Sequence, residues 1–328
     1  MRRRTLILHS VVATLTGCAA CLRAQNAASR RIGIVTSSSS GESRVPFKAF
    51  FTEMSRLGWI EGRTVIYDWA AADGQPQLLE PRIADLIGRK PEVIVAAVLP
   101  TALAVKRATT TIPLVFVSVA DPVGAGLVKS LARPGGNVTG GSPGWEPLVP
   151  KRIQLLREIM PGLRRVGYLR EYGPTEDAEA DALERAASSM GLTIIPVRFV
   201  QGSDIDAVMA ELISARVEAI HASSASAAIY YARERLIALA NRARLPVVVS
   251  LTPMAELGAL FSYGGAFDAR FRNAAKMTTK ILAGANPADM PVEQSTEFEF
   301  VVNAKAARSL GITIPPAVRL RADRVIEE

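Results

Sequence analysis

The amino-acid sequence predicts an α/β protein with two lobes, each built on a doubly wound parallel sheet. From Arg31 onward, short β-branched runs alternate with amphipathic helical stretches, a pattern typical of parallel sheets covered on both faces. The 328 residues exceed what one compact core usually fills. A turn-forming segment, residues 133–144, separates two halves of similar length. We therefore expect two domains in series.

In the first half, strands alternate with helices. The first helix is indicated by apolar side chains at helical spacing from Phe47 to Leu57, and Gly58 ends it. A polar loop, residues 37–41, precedes that helix. The expected strands are residues 32–36, 64–69, 93–98 and 114–119, and the expected helices are residues 47–57, 78–87 and 100–109.

The same alternation of strands and helices repeats in the second half, and a short tail with a different pattern follows it. Its expected strands are residues 165–169, 193–199, 219–222 and 247–251, and its expected helices are residues 147–160, 175–190, 204–215, 227–243 and 253–257. The tail adds strands at residues 259–263 and 297–302 and a helix at residues 270–282. These elements are too few for a third domain, so we expect the chain to return to the first half and cross back. That path predicts several crossovers and a hinge.

Composition and charge narrow the class of protein. The chain is 49% hydrophobic and 21% charged, which fits a packed globular protein and excludes a disordered or polytopic membrane chain. The formal net charge is +8, but four of the cationic residues lie in the first 24 residues, which contain no acidic residue. The rest of the chain is mildly basic and has no basic run or basic–aromatic cluster. We therefore predict no nucleic-acid partner.

Residues 1–24 are predicted to be an export signal. Three arginines precede an apolar stretch, residues 6–15, that is too short for a good membrane-spanning helix. The sequence Leu15-Thr-Gly-Cys18 resembles the lipobox of bacterial lipoproteins, in which Cys18 would carry the lipid. Cleavage before Gln25, twin-arginine export and a retained anchor stay open. We expect a periplasmic protein, or one that is lipid-anchored on the exported side, and no disulfide in its mature body.

Motifs for catalysis and cofactors are excluded by their local chemistry. Residues 140–144 match G-x-S-x-G, but Pro143 has no backbone N–H for an oxyanion hole. His221 is the only histidine beyond the export signal, so no histidine-based metal site is expected. We expect this side chain in the core or at a strand end, and a position lining the cleft stays an alternative. No dinucleotide or phosphate-binding glycine motif occurs. We predict a protein that is not an enzyme and needs neither metal nor cofactor.

Polar loops at the carboxyl ends of the predicted strands are the candidate ligand site, because open α/β sheets bind ligands there. Thr101 opens a helix and could hold a carboxylate, and Asp121 could hold an ammonium group. Both residues also suit capping of their own helices, and the two roles are compatible. The pair Tyr230-Tyr231 could belong to the core or to a cleft wall. The candidate residues are Ser38, Ser39, Pro100, Thr101, Asp121, Pro122, Tyr172, Ser223, Ser224 and Tyr263.

Several segments carry a family resemblance. The first are Gly58-Trp-Ile-Glu-Gly62 and residues 95–104 and 111–140, of which the block from Asp121 to Gly140 is the most specific. Further segments are residues 151–156, 260–264, 280–289, 291–294, 310–316 and 320–323. Together they resemble the ABC-transporter substrate-binding protein family that includes the tryptophan-binding TrpX-like proteins. The resemblance spans nearly the whole chain after the export signal.

This resemblance implies a type I periplasmic-binding fold, with three hinge crossings and a ligand buried between two lobes. Lobe 1 is expected to comprise residues 31–140 and 264–290, and lobe 2 residues 141–263 and 291–328. The implied function is that of an exported, monomeric receptor that captures a small organic solute and delivers it to an ABC permease. An amino acid is the solute that the family suggests.

Two loops of the second half depart from the family pattern and leave the solute open. The family often has an Asn-Pro loop where this chain has Arg170-Glu-Tyr-Gly-Pro174, and an Asp-Pro loop with aromatic residues where it has residues 223–226. A ligand-sensing protein with a membrane signalling partner stays an alternative. An α/β enzyme is a weaker one, because it would need a catalytic pair that the sequence does not display.

Overall fold

The computed structural model describes residues 29–143, 148–200, 202–223 and 226–328. The predicted export signal with Cys18, and Ser224, lie outside the described residues. Two sheets dominated by parallel strands are flanked by helices, which confirms the α/β prediction. No helix among the described residues is long and apolar enough to span a bilayer.

The strands and helices of the described residues follow one another in close alternation. The strands are β1 (Arg30–Thr36), β2 (Val65–Ala71), β3 (Val93–Ala97), β4 (Leu114–Val117), β5 (Val138–Ser142), β6 (Arg165–Arg170), β7 (Thr193–Arg198), β8 (Ala219–Ala222), β9 (Val247–Val249), β10 (Phe261–Gly265), β11 (Glu293–Gln294), β12 (Phe298–Asn303) and β13 (Arg324–Ile326). The helices are α1 (Ser40–Ser43), α2 (Lys48–Arg56), α3 (Leu79–Gly88), α4 (Leu99–Ala108), α5 (Leu148–Ile159), α6 (Pro174–Ser189), α7 (Ile205–Ser214), α8 (Ala227–Tyr231), α9 (Arg233–Arg242), α10 (Thr252–Glu256), α11 (Phe267–Leu282), α12 (Ala304–Leu310) and α13 (Pro316–Arg321).

The first sheet has the strand order β11-β5-β4-β3-β1-β2, and all its strands are parallel. Ile32 and Ile34 of β1 point to one face, where they pack with α2 and α11. Val35 points to the other face, where it packs with α3 and α4. The apolar side chains on both faces explain why these strands are continuous apolar runs in the sequence.

The second sheet has the strand order β13-β12-β10-β9-β8-β6-β7. Only the β10–β12 pair is antiparallel among its described pairs. Helices α5 and α6 cover one face, where Leu156 and Leu183 are buried. Helices α7 and α9 cover the other face, where Leu212 and Leu236 are buried.

The chain passes between the sheets after β5, after β10 and after β11. The three crossings meet at Gly265, where an added Cβ would lie 2.9 Å from Ser295 Oγ and 3.3 Å from the Pro143 carbonyl oxygen. The Ser295 N–H also donates to the Ser142 carbonyl at 2.9 Å. Glycine suits position 265 because a Cβ there would crowd the Ser295 side chain and approach the Pro143 carbonyl. The lobe boundaries drawn from the sequence stay a prediction.

Three local expectations were wrong. The segment 133–144, expected to be a turn-forming boundary, contains strand β5, which pairs with β4 and β11. Gly140 of this strand lies so close to Phe116 that a Cβ at position 140 would overlap the Phe116 carbonyl and ring. The helix expected at residues 227–243 is two helices, α8 and α9, that meet at Ala232. The tail holds β11, α12, α13 and β13 in addition to the expected elements. Short elements of this kind depend on tertiary pairing more than on sequence pattern.

Candidate functional site

A cavity of about 110 Å³ lies between the two sheets. On the first sheet, its wall comes from the loops after β1, β3 and β4 and from the start of α11. On the second sheet, it comes from the start of α6, from α8 and from the loop after β9. These are the carboxyl ends of parallel strands, where α/β sheets place their ligands.

Much of the cavity wall is aromatic. Phe47 comes from the turn before α2, Phe267 and Phe271 come from α11, and Tyr230 and Tyr231 come from α8. The Phe47 and Phe271 ring centroids are 4.9 Å apart, in an edge-to-face arrangement. The Tyr230 and Phe267 rings are nearly parallel with centroids 6.3 Å apart, and this contact joins the two sides of the cavity. The wall therefore suits a ligand with a flat apolar part.

Tyr231 also connects the two sides through hydrogen bonds. Its hydroxyl is bonded to the side chains of Ser37 and Ser38 in the loop after β1. Burial raises the pKa of Tyr231, and these hydrogen bonds partly oppose that rise. The hydroxyl is thus neutral at physiological pH and acts in a polar contact across the mouth of the cavity.

Two carboxylates line the cavity from opposite sides, Asp121 after β4 and Glu176 in the first turn of α6. Asp121 Oδ1 accepts a hydrogen bond from the Gly124 N–H at 2.7 Å, so this side chain orders its own loop. Burial raises the pKa of Glu176, and the neighbouring Glu171 and Glu179 raise it further. A ligand cation beside Glu176 would lower that pKa again, which is a favourable interaction.

Arg270 is the only positively charged side chain among the described residues that line the cavity. It lies in α11 and is only 9% exposed. Its Nη2 donates to the Gly265 carbonyl at 2.8 Å, and its Nη1 donates a long bond to Ser118 Oγ at 3.4 Å. Its Nε is buried and has no partner among the described residues. Burial lowers the pKa of Arg270 to about 10, so the side chain stays charged at neutral pH.

The backbone is strained where β3 and β4 reach the cavity. Val98 has φ 68° and ψ 161°, a region that is nearly restricted to glycine, and it precedes the first turn of α4. Ser118 has φ 59° and follows β4. Both residues line the cavity. Such conformations cost about 1–3 kcal/mol each and cluster at binding sites.

Three of the residues predicted from the sequence line this cavity: Ser38, Pro100 and Asp121. Ser39 lines a neighbouring pocket that shares Ser38, Tyr230 and Tyr231 with this cavity. Tyr230 and Tyr231 belong to the cleft wall, the second of the two interpretations that the sequence left open.

The structure places other predicted residues away from the described cavity wall. Thr101 is fully buried, and its hydroxyl is bonded to the carbonyls of Ala97 and Val98, the latter at 2.9 Å. Pro122 is buried, and its carbonyl accepts from the Leu127 N–H at 2.8 Å. Tyr172 is 60% exposed and stacks under Arg170, with the guanidinium carbon 4.7 Å from the ring centroid.

Ser223 and Tyr263 belong instead to a buried polar network in the second sheet. Ser223 Oγ donates to Glu179 Oε2 at 2.6 Å, and the Tyr263 carbonyl accepts from Arg152 Nη1 at 3.0 Å. Arg152 and Glu179 form an ion pair at 3.2 Å, with 0% and 1% of their side chains exposed. His221 Nε2 accepts from Arg152 Nε at 3.1 Å. Burial, and then the Arg152 charge, lower the pKa of His221, so it is a neutral core histidine.

The sequence analysis missed Arg270, Glu176 and the phenylalanines of the wall. The helix expected at residues 270–282 starts three residues earlier, at Phe267, which places Arg270 in its first turn. The amphipathic pattern of that helix gave no sign that one of its arginines is buried. Among the described residues, no group of His, Cys, Asp and Glu side chains is arranged to hold a metal ion.

Comparisons with known proteins agree with this geometry. A family model described as ABC transporter substrate binding protein matches residues 30–326. A solved ABC domain from Streptococcus pneumonia, in complex with L-Trp, is 26% identical with a TM-score of 0.81, over 91% of this chain and 100% of that one. A conserved domain protein from Vibrio cholerae is 29% identical with a TM-score of 0.80, over 90% and 99% of the two chains. A tyrosine-binding protein of Clostridioides difficile is 24% identical over 281 residues, 85% of this chain and 78% of that protein.

Proposed function

This chain belongs to the family of ABC transporter substrate-binding proteins, and from that premise we propose that its solute is an amino acid with an aromatic side chain. The solute would lie in the cavity between the two sheets. The observation that carries the proposal is the composition of the wall, which combines aromatic rings with a buried arginine and two carboxylates. A zwitterion with a flat apolar side chain matches each of these features.

Two relatives support the choice of solute. One was solved with L-Trp bound, and another is named a tyrosine-binding protein. In this chain, Phe47, Phe267 and Tyr230 offer ring faces and edges at distances suited to aromatic packing. The ammonium group of the solute would lie near Asp121 or Glu176, on the two sides of the cavity.

The proposed mechanism is closure of the two lobes around the solute. A ligand that touches both sides of the cavity stabilises the closed arrangement by its difference in affinity between closed and open states. The three crossings that meet at Gly265 form the hinge of this motion. The contacts of Tyr231 with Ser37 and Ser38 join the two sides of the cavity and would support the closed arrangement.

The family also defines a partner and a location. Substrate-binding proteins of ABC importers act outside the cytoplasm and deliver solutes to a permease. We place this protein in the periplasm, as a monomer, or on the exported side of the membrane through a lipid on Cys18. The mass of the purified protein's N-terminal peptide decides between these two, because lipidated Cys18 and free Gln25 give different products. A peptide that still begins at Met1 would contradict both.

Binding is best tested by thermal unfolding of protein that was first unfolded and refolded to remove carried-over solute. We expect L-tryptophan or L-tyrosine, at about 100 times its dissociation constant, to stabilise the protein by about 2.7 kcal/mol, a shift of about 2–8 °C in Tm. L-Alanine and ribose, tested as controls, are expected to give no shift. Refolded protein that responds to ribose, or to none of the aromatic amino acids, would contradict the proposed solute.

A further inference from the structure

Arg270 is a buried cation that faces the cavity and has no anionic partner among the described residues. Its hydrogen-bond acceptors are neutral, the Gly265 carbonyl and the Ser118 hydroxyl. Burial alone accounts for the lowered pKa of Arg270, with no contribution from a nearby carboxylate. No anion among the described residues therefore compensates the charge of this side chain.

Among the described residues, the other two buried arginines are each paired with a carboxylate, Arg170 with Asp177 and Arg152 with Glu179. Arg152 is paired with Glu179 at 3.2 Å and also bonds to His221 and to the Tyr263 carbonyl. An unpaired buried charge costs several kcal/mol, whereas a paired and hydrogen-bonded one costs far less. The contrast between Arg152 and Arg270 makes an anionic group of the ligand a suitable partner for Arg270.

The geometry of Arg270 fits a carboxylate. The bond from Nη2 to the Gly265 carbonyl fixes the guanidinium plane at the start of α11. The buried Nε–H has no acceptor among the described residues and the Nη1 bond to Ser118 is long, so the guanidinium keeps unused capacity to donate. A planar guanidinium binds a carboxylate through two parallel hydrogen bonds, which gives both affinity and a fixed orientation.

We propose that Arg270 binds the carboxylate of the solute and thereby orients it in the cavity. This inference rests on the proposed function, since it assumes a carboxylated solute. With the carboxylate held at Arg270, the side chain of the solute lies against the aromatic wall, and Phe267 and Phe271 flank Arg270 on the same helix. Arg270 is then the residue that separates amino acids from the corresponding amines, which lack the carboxylate.

The test compares L-tryptophan with tryptamine, the same molecule without its carboxylate, by titration calorimetry on refolded protein. Wild-type protein is expected to prefer L-tryptophan by about 100-fold, in line with the loss seen when one member of a buried charge pair is removed. Arg270→Gln should weaken L-tryptophan binding by about 100-fold and leave tryptamine binding within about 3-fold, so that the preference disappears. Arg270→Lys keeps the charge without the planar fork and should give an intermediate loss.

Arg272→Gln is the matched control, because Arg272 lies on the same helix but is paired with Glu297 at 3.5 Å near the surface. It should leave both affinities unchanged. A second measurement needs no ligand: the Tm of the empty Arg270→Gln protein should not fall below that of the wild type, since an uncompensated charge is removed. A purely structural role for Arg270 would lower that Tm and leave the preference for L-tryptophan over tryptamine unchanged.

The outcomes separate this inference from the proposed function. If wild-type protein binds no aromatic amino acid but binds another carboxylated solute, and Arg270→Gln abolishes that binding, the proposed solute is wrong and the role of Arg270 stands. If Arg270→Gln keeps the wild-type preference for L-tryptophan over tryptamine, the role of Arg270 is overturned.

Discussion

Replacing Glu179 by glutamine is expected to lower the free energy of unfolding by about 3–5 kcal/mol. The Glu179 carboxylate is 1% exposed and lies 3.2 Å from the Arg152 guanidinium, which is fully buried. Burial lowers the pKa of Arg152, and the charge of Glu179 raises it again. Without the carboxylate, the guanidinium would stay in the core beside neutral partners such as His221 and the Tyr263 carbonyl.

Urea unfolding followed by circular dichroism measures this loss. Arg321→Gln is a suitable control, since Arg321 pairs with Glu158 at the surface and such pairs contribute about 0–1 kcal/mol. The double variant Arg152→Met/Glu179→Leu removes both charges and should recover most of the lost stability. A Glu179→Gln protein within 1 kcal/mol of the wild type would show that Arg152 is compensated in another way.

The alternation of apolar runs and helices could be predicted because both sheets are covered on both faces. The strand expected at residues 93–98 is observed at Val93–Ala97 for that reason. Strand β5 could not be predicted, because Val-Thr-Gly-Gly-Ser has the composition of a turn. It forms because β4 and β11 pair with it on either side, and because Gly140 leaves room for Phe116.

The sequence could predict only those residues of the candidate site that lie directly after the parallel strands. Ser38, Pro100 and Asp121 reach the cavity because the carboxyl ends of parallel strands lie at one edge of a sheet. Thr101 does not, because its hydroxyl bonds back to the last carbonyls before its own helix. Arg270 could not be found from the sequence, since its burial results from the position of α11 after the second crossing.

Replacing Phe47 by alanine is expected to lower the free energy of unfolding by about 3–5 kcal/mol and to weaken binding of an aromatic solute. Phe47 is 1% exposed, and its ring touches Phe50, Trp69 and Phe271 edge to face. It also lines the cavity, so its removal enlarges the space that the solute must fill. The loss should therefore appear both in urea unfolding and in the affinity for L-tryptophan.

A control on the surface separates these two effects from a general loss of aromatic area. Phe298 is 42% exposed at the start of β12. Phe298→Ala should change the free energy of unfolding by no more than about 1 kcal/mol, because a large part of the cost of removing a buried phenylalanine comes from the cavity left in the core. Phe47→Leu retains most of the buried volume and should lose less than Phe47→Ala. If Phe47→Ala loses stability but binds L-tryptophan as tightly as the wild type, the ring is a core residue only. The solute would then pack against Tyr230 and Phe267 on the other part of the wall.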